Sequence, residues 1–381
     1  MKALFWLCLG LIAHTYLIYP GLIFLLAKLF PRPIKEKSDF TPPVVMLIAA
    51  YNEEDVLPEK IENCLNLNYH QERIRFLFGS DGSSDDTNQI LSSQTNPQIQ
   101  SELFGTREGK SSVLNRLVSM VNEEIIILSD ANTIYHPDAV KILISHFSDQ
   151  DIGGVCGKLS LQNESGQPGG DGEGLYWSYE NMIKRAEGDL NSVISANGAI
   201  FAVRRELIDP LPVNRVVNDD MAITLDILAR KMRVVYDPES LAVEETSPDM
   251  EGEFVRKIRI SSLNFNALPE ILPLLNPKYG FTALSIFSHK LLRWLVPALG
   301  LGMLVSNMFL YRAGGIYPYL LLGQVLVYLG ALLGFLGDKI FDQAGPFIPF
   351  YYLAMINIAL VIGFWRSLTK TQEHTWKRVP H

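Results

Sequence analysis

The stretch VVMLIAAYNEE (44–54) decides the fold: seven apolar residues run unbroken into a polar, acidic turn. A run without alternating polar positions reads as a strand buried on both faces, which is the signature of a parallel sheet. RIRFLFGSDGSSDDT (73–87) repeats the plan, and EEIIILSDANT (123–133) repeats it again. Between the first two lies EDVLPEKIENCLNLN (54–68), which has helical spacing. Strands alternating with helices predict an α/β domain of βαβ units, with its functional groups at the carboxyl ends of the strands.

Each strand thus delivers oxygen-bearing side chains to one edge. The first turn holds Tyr51, Asn52 and Glu53. A carboxylate there can accept hydrogen bonds from a base or ribose, or the turn is simply a helix N-terminus capped by Asn52. In the second turn Asp81 ends the strand and Gly82 permits a tight backbone, with Ser84 and Asp85 available as caps. The third, Asp130-Ala131-Asn132, projects two oxygens from the same side of an extended chain. Hard cations such as Mg2+ or Mn2+ favour that pattern, although Asp-x-Asn also occurs in ordinary turns. Downstream, Asp219 and Asp220 open a helix. Two adjacent carboxylates favour a raised pKa in one of them, suited to base chemistry, or serve the helix dipole.

Outside this region the chain becomes apolar. Overall it is 48% hydrophobic and 19% charged, with mean hydropathy +0.13. Residues 4–27 contain no formal charge and are long enough for a retained membrane anchor rather than a signal peptide. Lys28, Arg32, Lys35 and Lys37 follow it, placing that end in the cytoplasm by the positive-inside bias. Stretches 295–311, 316–337 and 346–365 are further candidate spans. Residues 251–276 mix Arg256, Lys257 and Arg259 with Phe254, Ile258 and Leu263, as a helix in the membrane interface does; its cations reach a diphosphate or contact lipid phosphates. One span before the domain and three after it put the C-terminus outside, yet Arg366, Lys370, Lys377 and Arg378 favour the inside. The sequence leaves that conflict open. A net charge of -8 argues against a nucleic-acid partner. Cys8, Cys64 and Cys156 lack CxxC spacing, so neither a zinc site nor a disulfide framework is expected. Asn163–Gly172 is Gly-rich and reads as an exposed loop.

The ordered set AAYNEE, SDGSSDDT, REGKSSVLN, SDANT, SANGAIFAVRRE, NDDMAI and RKIRI resembles the family 2 glycosyltransferases. The likeness is to the membrane synthases related to cellulose, chitin and hyaluronan synthases and to bacterial exopolysaccharide synthases. It covers about Val44 to Ile260. The resemblance implies a glycosyltransferase-A (Rossmann-like) α/β domain in the cytoplasm, flanked by transmembrane helices of a cell or inner membrane. By position it implies donor contacts from Tyr51, Asn52, Glu53, Asp81, Lys110, Asp130, Lys257 and Arg259. It further implies a metal (Mg2+ or Mn2+) on Asp130 and Asn132, acceptor contacts from Asn197 and Gly198, and a catalytic base at Asp220 beside Asp219.

Its implied reaction is inverting transfer from a nucleotide-diphosphate sugar, UDP above all, to a growing polysaccharide or glycan. A lipid-linked acceptor with single transfer, or a nucleotide-sugar sensor, are the alternatives. RKIRI (256–260) keeps Arg259 but has Ile260 where the resembled pattern has tryptophan, which counts against processive polymerisation. The expected organisation is an anchor (1–30), the catalytic domain (40–250), interfacial helices (251–290), C-terminal spans (291–368) and a basic tail (369–381). Membrane lipids are expected partners.

Overall fold

A computed structural model describes residues 1–35, 39–162, 171–213, 216–245, 250–341 and 345–371. Most of the Asn163–Gly172 stretch lies outside the described residues, as do Lys377 and Arg378 of the basic tail.

Eight strands form one sheet: β1 Val44–Ala50, β2 Ile74–Asp81, β3 Ile99–Phe104, β4 Ile125–Asp130, β5 Ile134–Tyr135, β6 Ile152–Gln162, β7 Phe201–Arg204 and β8 Arg233–Glu245. Their spatial order is β3-β2-β1-β4-β7-β6-β8-β5. β3, β2, β1 and β4 run parallel, as the three apolar runs predict. β7 is antiparallel to both its neighbours, and β5 is antiparallel to β8, so the complete sheet is mixed rather than built of βαβ units throughout.

The reading of VVMLIAA as a doubly buried strand matches its burial. Val44, Met46 and Ile48 enter one core, while Val45 and Leu47 enter the other, and none exceeds 1% exposure. Because β1 pairs with β2 on one side and β4 on the other, the chain reverses its direction of progress at β1. A crevice opens beyond the carboxyl ends at such a switch point. That crevice receives the turns after β1, β2 and β4.

The helices are α1 Lys2–Leu29, α2 Leu57–Leu65, α3 Thr87–Ser92, α4 Lys110–Ser119, α5 Ala139–Ser145, α6 Asp171–Leu190, α7 Asp219–Ala229, α8 Met250–Asn266, α9 Leu268–Leu274, α10 Phe281–Ala313, α11 Tyr317–Phe341 and α12 Ile348–Thr369. Among the described residues four segments are long and apolar enough to cross a membrane: Lys2–Leu29, Phe281–Ala313, Tyr317–Ile340 and Gly345–Thr369.

α1 has its far end beside Tyr317, where Trp6 donates to the Tyr317 hydroxyl at 3.3 Å. At its near end Arg32 bonds Asp151 at 2.9 Å, on the sheet domain. α10 leaves the domain at His289, which bonds Glu180 and Glu187 of α6. α11 returns to the domain, where Lys339 lies 3.3 Å from Glu251.

α12 behaves differently. It lies alongside α8 in the same direction: Tyr352 bonds Glu253 at 3.2 Å and Ser367 bonds Asn266 at 2.7 Å. α8 is itself fastened to the domain, with Asn218 donating to Asn264 and Asn266 donating to the Val216 carbonyl, each at 2.8 Å. Ile258 and Leu263, expected against lipid or spans, are buried, and the Ile258 backbone faces α12. The opposite stripe of α12, which includes Ile358, Val361, Trp365 and Leu368, is exposed.

Close approach of the two helices requires Gly363. A Cβ there would lie 2.5 Å from the Ser261 Cβ and 2.8 Å from the Ser262 nitrogen. Gly363→Val should destabilise the protein by about 1–3 kcal/mol through overpacking. Gly323→Ala, where nothing lies within 4 Å of the added methyl, should not. Thermal unfolding in detergent compares the two, and equal melting temperatures would contradict the packing.

Candidate active site

The first two turns lock each other. Asn52 sits at φ 54°, a left-handed conformation that asparagine tolerates, and its Oδ1 accepts from the Ser84 nitrogen at 2.8 Å. The Glu53 nitrogen donates to the Thr87 hydroxyl at 2.8 Å. Val56, rather than Asn52, occupies the cap position of α2, and no side chain caps it.

Asp81 is fully buried and accepts from the backbone nitrogens of Glu108 and Gly109 at 2.7 and 2.9 Å. It thereby fixes the loop that starts α4. Gly82, at φ 67°, lies under that loop: a Cβ would come within 2.8 Å of the Arg107 nitrogen. The same loop places the Arg107 guanidinium 3.6 Å from the centre of the Tyr51 ring. Tyr51, Asn52, Glu53 and Asp81 therefore form one braced rim at the ends of β1 and β2.

Lys110, the first residue of α4, connects that rim to the centre. Its Nζ donates to Asp130 at 2.7 Å and lies 3.2 Å from Asp219. Burial acts to lower the Lys110 pKa, but the two carboxylates outweigh it and hold it raised. Burial acts to raise the Asp130 pKa, and Lys110 reverses that to a net lowering. Beneath this turn, fully buried Lys60 donates to the Ser129 hydroxyl and the Thr133 carbonyl at 2.7 and 2.5 Å.

Asp219 and Asp220 open α7 after Asn218. Asp220 accepts from the Met221 nitrogen at 2.6 Å and from the Gly198 nitrogen at 3.2 Å. Gly198 permits this approach, since a Cβ there would already lie 3.3 Å from the Asp220 Cβ. Burial and then Asp219 push the Asp220 pKa up to about 6. Asn197 and Gly198 thus stand on the wall beside the pair.

A cavity of about 670 Å³ joins Lys110, Asp130, Asn197, Gly198, Asp219, Asp220, Lys257 and Arg259. Lys257 lies 3.0 Å from Glu253. Arg259 faces the cavity; burial lowers its pKa, and Asp130 is the largest opposing influence. Glu244, at the end of β8, escaped the sequence reading. It accepts from the Asn132 amide at 3.2 Å, and burial and then Asp130 push its pKa up to about 7. Its signal was the apolar-then-acidic run LAVEE (241–245), the same pattern as the turns that were read. Lys60 gave no such signal.

Among the described residues no three His, Cys, Asp or Glu groups converge as a ready-made metal cage. Asp130, the Oδ1 of Asn132 and Glu244 nevertheless offer hard oxygen donors. They suit a cation held by few protein groups plus ligand phosphates.

Comparison with known proteins places this architecture. Residues 46–211 match the family model Glycosyl transferase family 2. That match lies within the sheet domain, and the chain has a mixed α/β fold of the glycosyltransferase-A kind with apolar flanking helices. Poly-beta-1,6-N-acetyl-D-glucosamine synthase of Staphylococcus aureus (strain MSSA476) is 25% identical over 221 residues, which is 57% of this chain and 53% of the relative. The Staphylococcus epidermidis synthase is 22% identical over 242 residues, covering 62% and 58%. The chain therefore spans about half the length of the curated relatives it matches. Among solved structures, the mannosyltransferase PcManGT from Pyrobaculum calidifontis, in complex with GDP-Man and Mn2+, superposes with TM-score 0.72 and 18% identity. That likeness covers 96% of this chain and 99% of the other, so the fold similarity includes the apolar helices.

Asp220 and Glu244 bind protons more tightly folded than unfolded. Their contribution is therefore most stabilising at low pH and is lost as pH rises through about 6 and about 7 respectively. Asp220→Asn should raise the melting temperature above pH 6, with the gain fading toward pH 4. A variant no more stable than the parent at pH 8 would contradict the buried, repelled carboxylate.

Proposed function

We propose that this glycosyltransferase moves a sugar, with inversion, from a nucleoside-diphosphate sugar to an acceptor hydroxyl at the membrane. One observation carries the reading: Asp220, with its raised pKa, shares a cavity with the Lys110–Asp130 pair and Arg259. Asp220 takes the proton from the attacking hydroxyl, and its pKa of about 6 leaves it ionised at neutral pH and basic enough to help. Asp219, held by Lys110, keeps that basicity up by repulsion. Departure of a nucleoside diphosphate concentrates negative charge, which Lys110 and Arg259 offset from fixed positions. Bound Mg2+ or Mn2+ on Asp130, Asn132 and Glu244 would supply further charge neutralisation there. The rim of Tyr51, Asn52, Glu53 and Asp81 serves the nucleotide, and Asn197 and Gly198 border the acceptor.

The relatives' named activity, synthesis of poly-beta-1,6-N-acetyl-D-glucosamine, supports a growing glycan as acceptor. A second reading, single transfer to a lipid-linked acceptor, is favoured by Ile260 standing where the resembled synthases have tryptophan. The test uses purified chain in detergent with a panel of UDP- and GDP-sugars. Asp220→Asn should abolish transfer while donor affinity stays within about twofold, because a base acts in the transition state. Turnover should rise with pH to a plateau above about 6, and chelation of divalent metal should stop it. Equal loss of donor binding and turnover would move Asp220 into the donor pocket.

We propose further that the catalytic domain is cytoplasmic and that α12 lies in the membrane plane. Its attachment to α8 along its length, from Tyr352 to Ser367, supports this, as does its lipid-suited outer stripe. With α1, α10 and α11 as the crossing helices, the chain ends on the side where it folds its catalytic domain. That arrangement puts Arg366 and Lys370 inside, as the charge bias asks.

The native cysteines are buried, so single introduced cysteines report sidedness. In intact cells Arg312→Cys should react with a membrane-impermeant maleimide. Ser92→Cys and Lys370→Cys should react only after permeabilisation. Labelling of Lys370→Cys from outside would make α12 a crossing helix.

A further inference from the structure

The cavity that holds Asp220 continues beyond the catalytic residues to Tyr16, Glu180, Lys184, Lys290 and Arg293. Tyr16 and Arg293 belong to the apolar helices α1 and α10, so this end reaches into the membrane bundle. Its acidic groups are already engaged. Glu180 bonds His289 at 3.0 Å and Arg293 at 2.6 Å. Glu187 bonds His289 at 2.8 Å and the Tyr19 hydroxyl at 2.7 Å. Burial alone would raise the Glu180 pKa, yet Arg293 and His289 hold it well below the usual carboxylate range.

Two ammonium groups are left over. Lys184 is 6% exposed, and its closest defined neighbour is the Trp177 ring, 5.8 Å from Nζ. Among the described residues neither Lys184 nor Lys290 has a carboxylate within salt-bridge distance. Glu180, already bonded to His289 and Arg293, is the largest attractive charge on Lys290; Lys184 and Arg293 oppose it, and Asp220 acts from the catalytic end. Burying like charges without an anion is costly, so the arrangement is poised for an anionic ligand. The donor diphosphate has its own cations in Lys110 and Arg259. The anion at this end therefore belongs to the other substrate.

We propose that this end of the cavity is a phosphate subsite for the acceptor. The acceptor is an amphiphile whose phosphate rests on Lys184 and Lys290 while a hydroxyl of its head group reaches Asp220. The surrounding wall favours a lipid over a free ion, because Leu353 and Ile356 of α12 and Trp294 of α10 line the same space. The proposal rests on reading the cavity as the transfer site, and it selects a lipid-borne acceptor.

Calorimetric titration of the purified full chain in detergent tests it with farnesyl phosphate, farnesol and inorganic phosphate. Farnesyl phosphate should bind, and Lys184→Gln and Lys290→Gln should each weaken it by about tenfold or more. Farnesol should bind far more weakly. Unchanged affinity in both variants, or equal binding of farnesol, would overturn the subsite. Inorganic phosphate binding as tightly as its farnesyl ester would overturn the lipid assignment. Nucleotide-sugar affinity in the two variants should match the parent, which establishes that they fold. A parent chain that binds no nucleotide sugar counts against the transferase reading, whereas the farnesyl phosphate titration judges the subsite on its own.

Discussion

The contact on which the site depends is the one Lys110 makes with two carboxylates from distant parts of the chain. Asp130 ends β4 and Asp219 begins α7, and a single ammonium lies 2.7 Å from one and 3.2 Å from the other. Without a shared cation these groups would repel at close range, by about 4 kcal/mol for unit charges 4 Å apart near a protein surface. Lys110 is in turn positioned by Asp81, which grips the backbone just before α4. The buried acid of the second turn therefore sets the cation that holds the third turn to the start of α7.

That bridge leaves two acids without an ammonium of their own. Burial and a neighbouring carboxylate raise both, Asp220 to about 6 and Glu244 to about 7, the latter against the pull of Arg256. They have different neighbours: Asp219 is the charge that raises Asp220, and Asp130 the one that raises Glu244. A cation beside Asp130 would therefore relieve Glu244 more directly than Asp220. Base strength at Asp220 can then survive charge neutralisation at the diphosphate end.

The parallel half of the sheet and its three turns were legible because fully buried strands leave an uninterrupted apolar run, and the acid that ends each run is conspicuous. Orientation was not legible. Asp81 and Asp130 look alike in sequence, yet one binds its own backbone and the other faces the cavity. Glu244 was passed over although it ends a strand in the same way, since β8 carries Asp237, Glu239 and Ser240 and lacks an unbroken run. Lys184 gave no signal because one lysine on a mixed helix reads as a solvated charge. Hydropathy also cannot separate a helix with lipid on all sides from one with lipid on one side and α8 on the other. Residues 346–365 therefore read as a span by hydropathy, and the packing against α8 is what suggests the in-plane alternative.

The position of α12 bears on more than topology. α8 presents Arg259 to the cavity from one side and seats the backbone at Ile258–Ser262 against Gly363 on the other. Arg259 is therefore held in place by a helix that packs against α12. α12 also supplies Leu353 and Ile356 to the cavity wall, on the route toward Lys184 and Lys290. Under the proposed reading, donor side and acceptor side share this boundary: a lipid-borne hydroxyl would pass α12 to meet Asp220, and the nucleotide would lie over the rim formed by Tyr51 and Arg107.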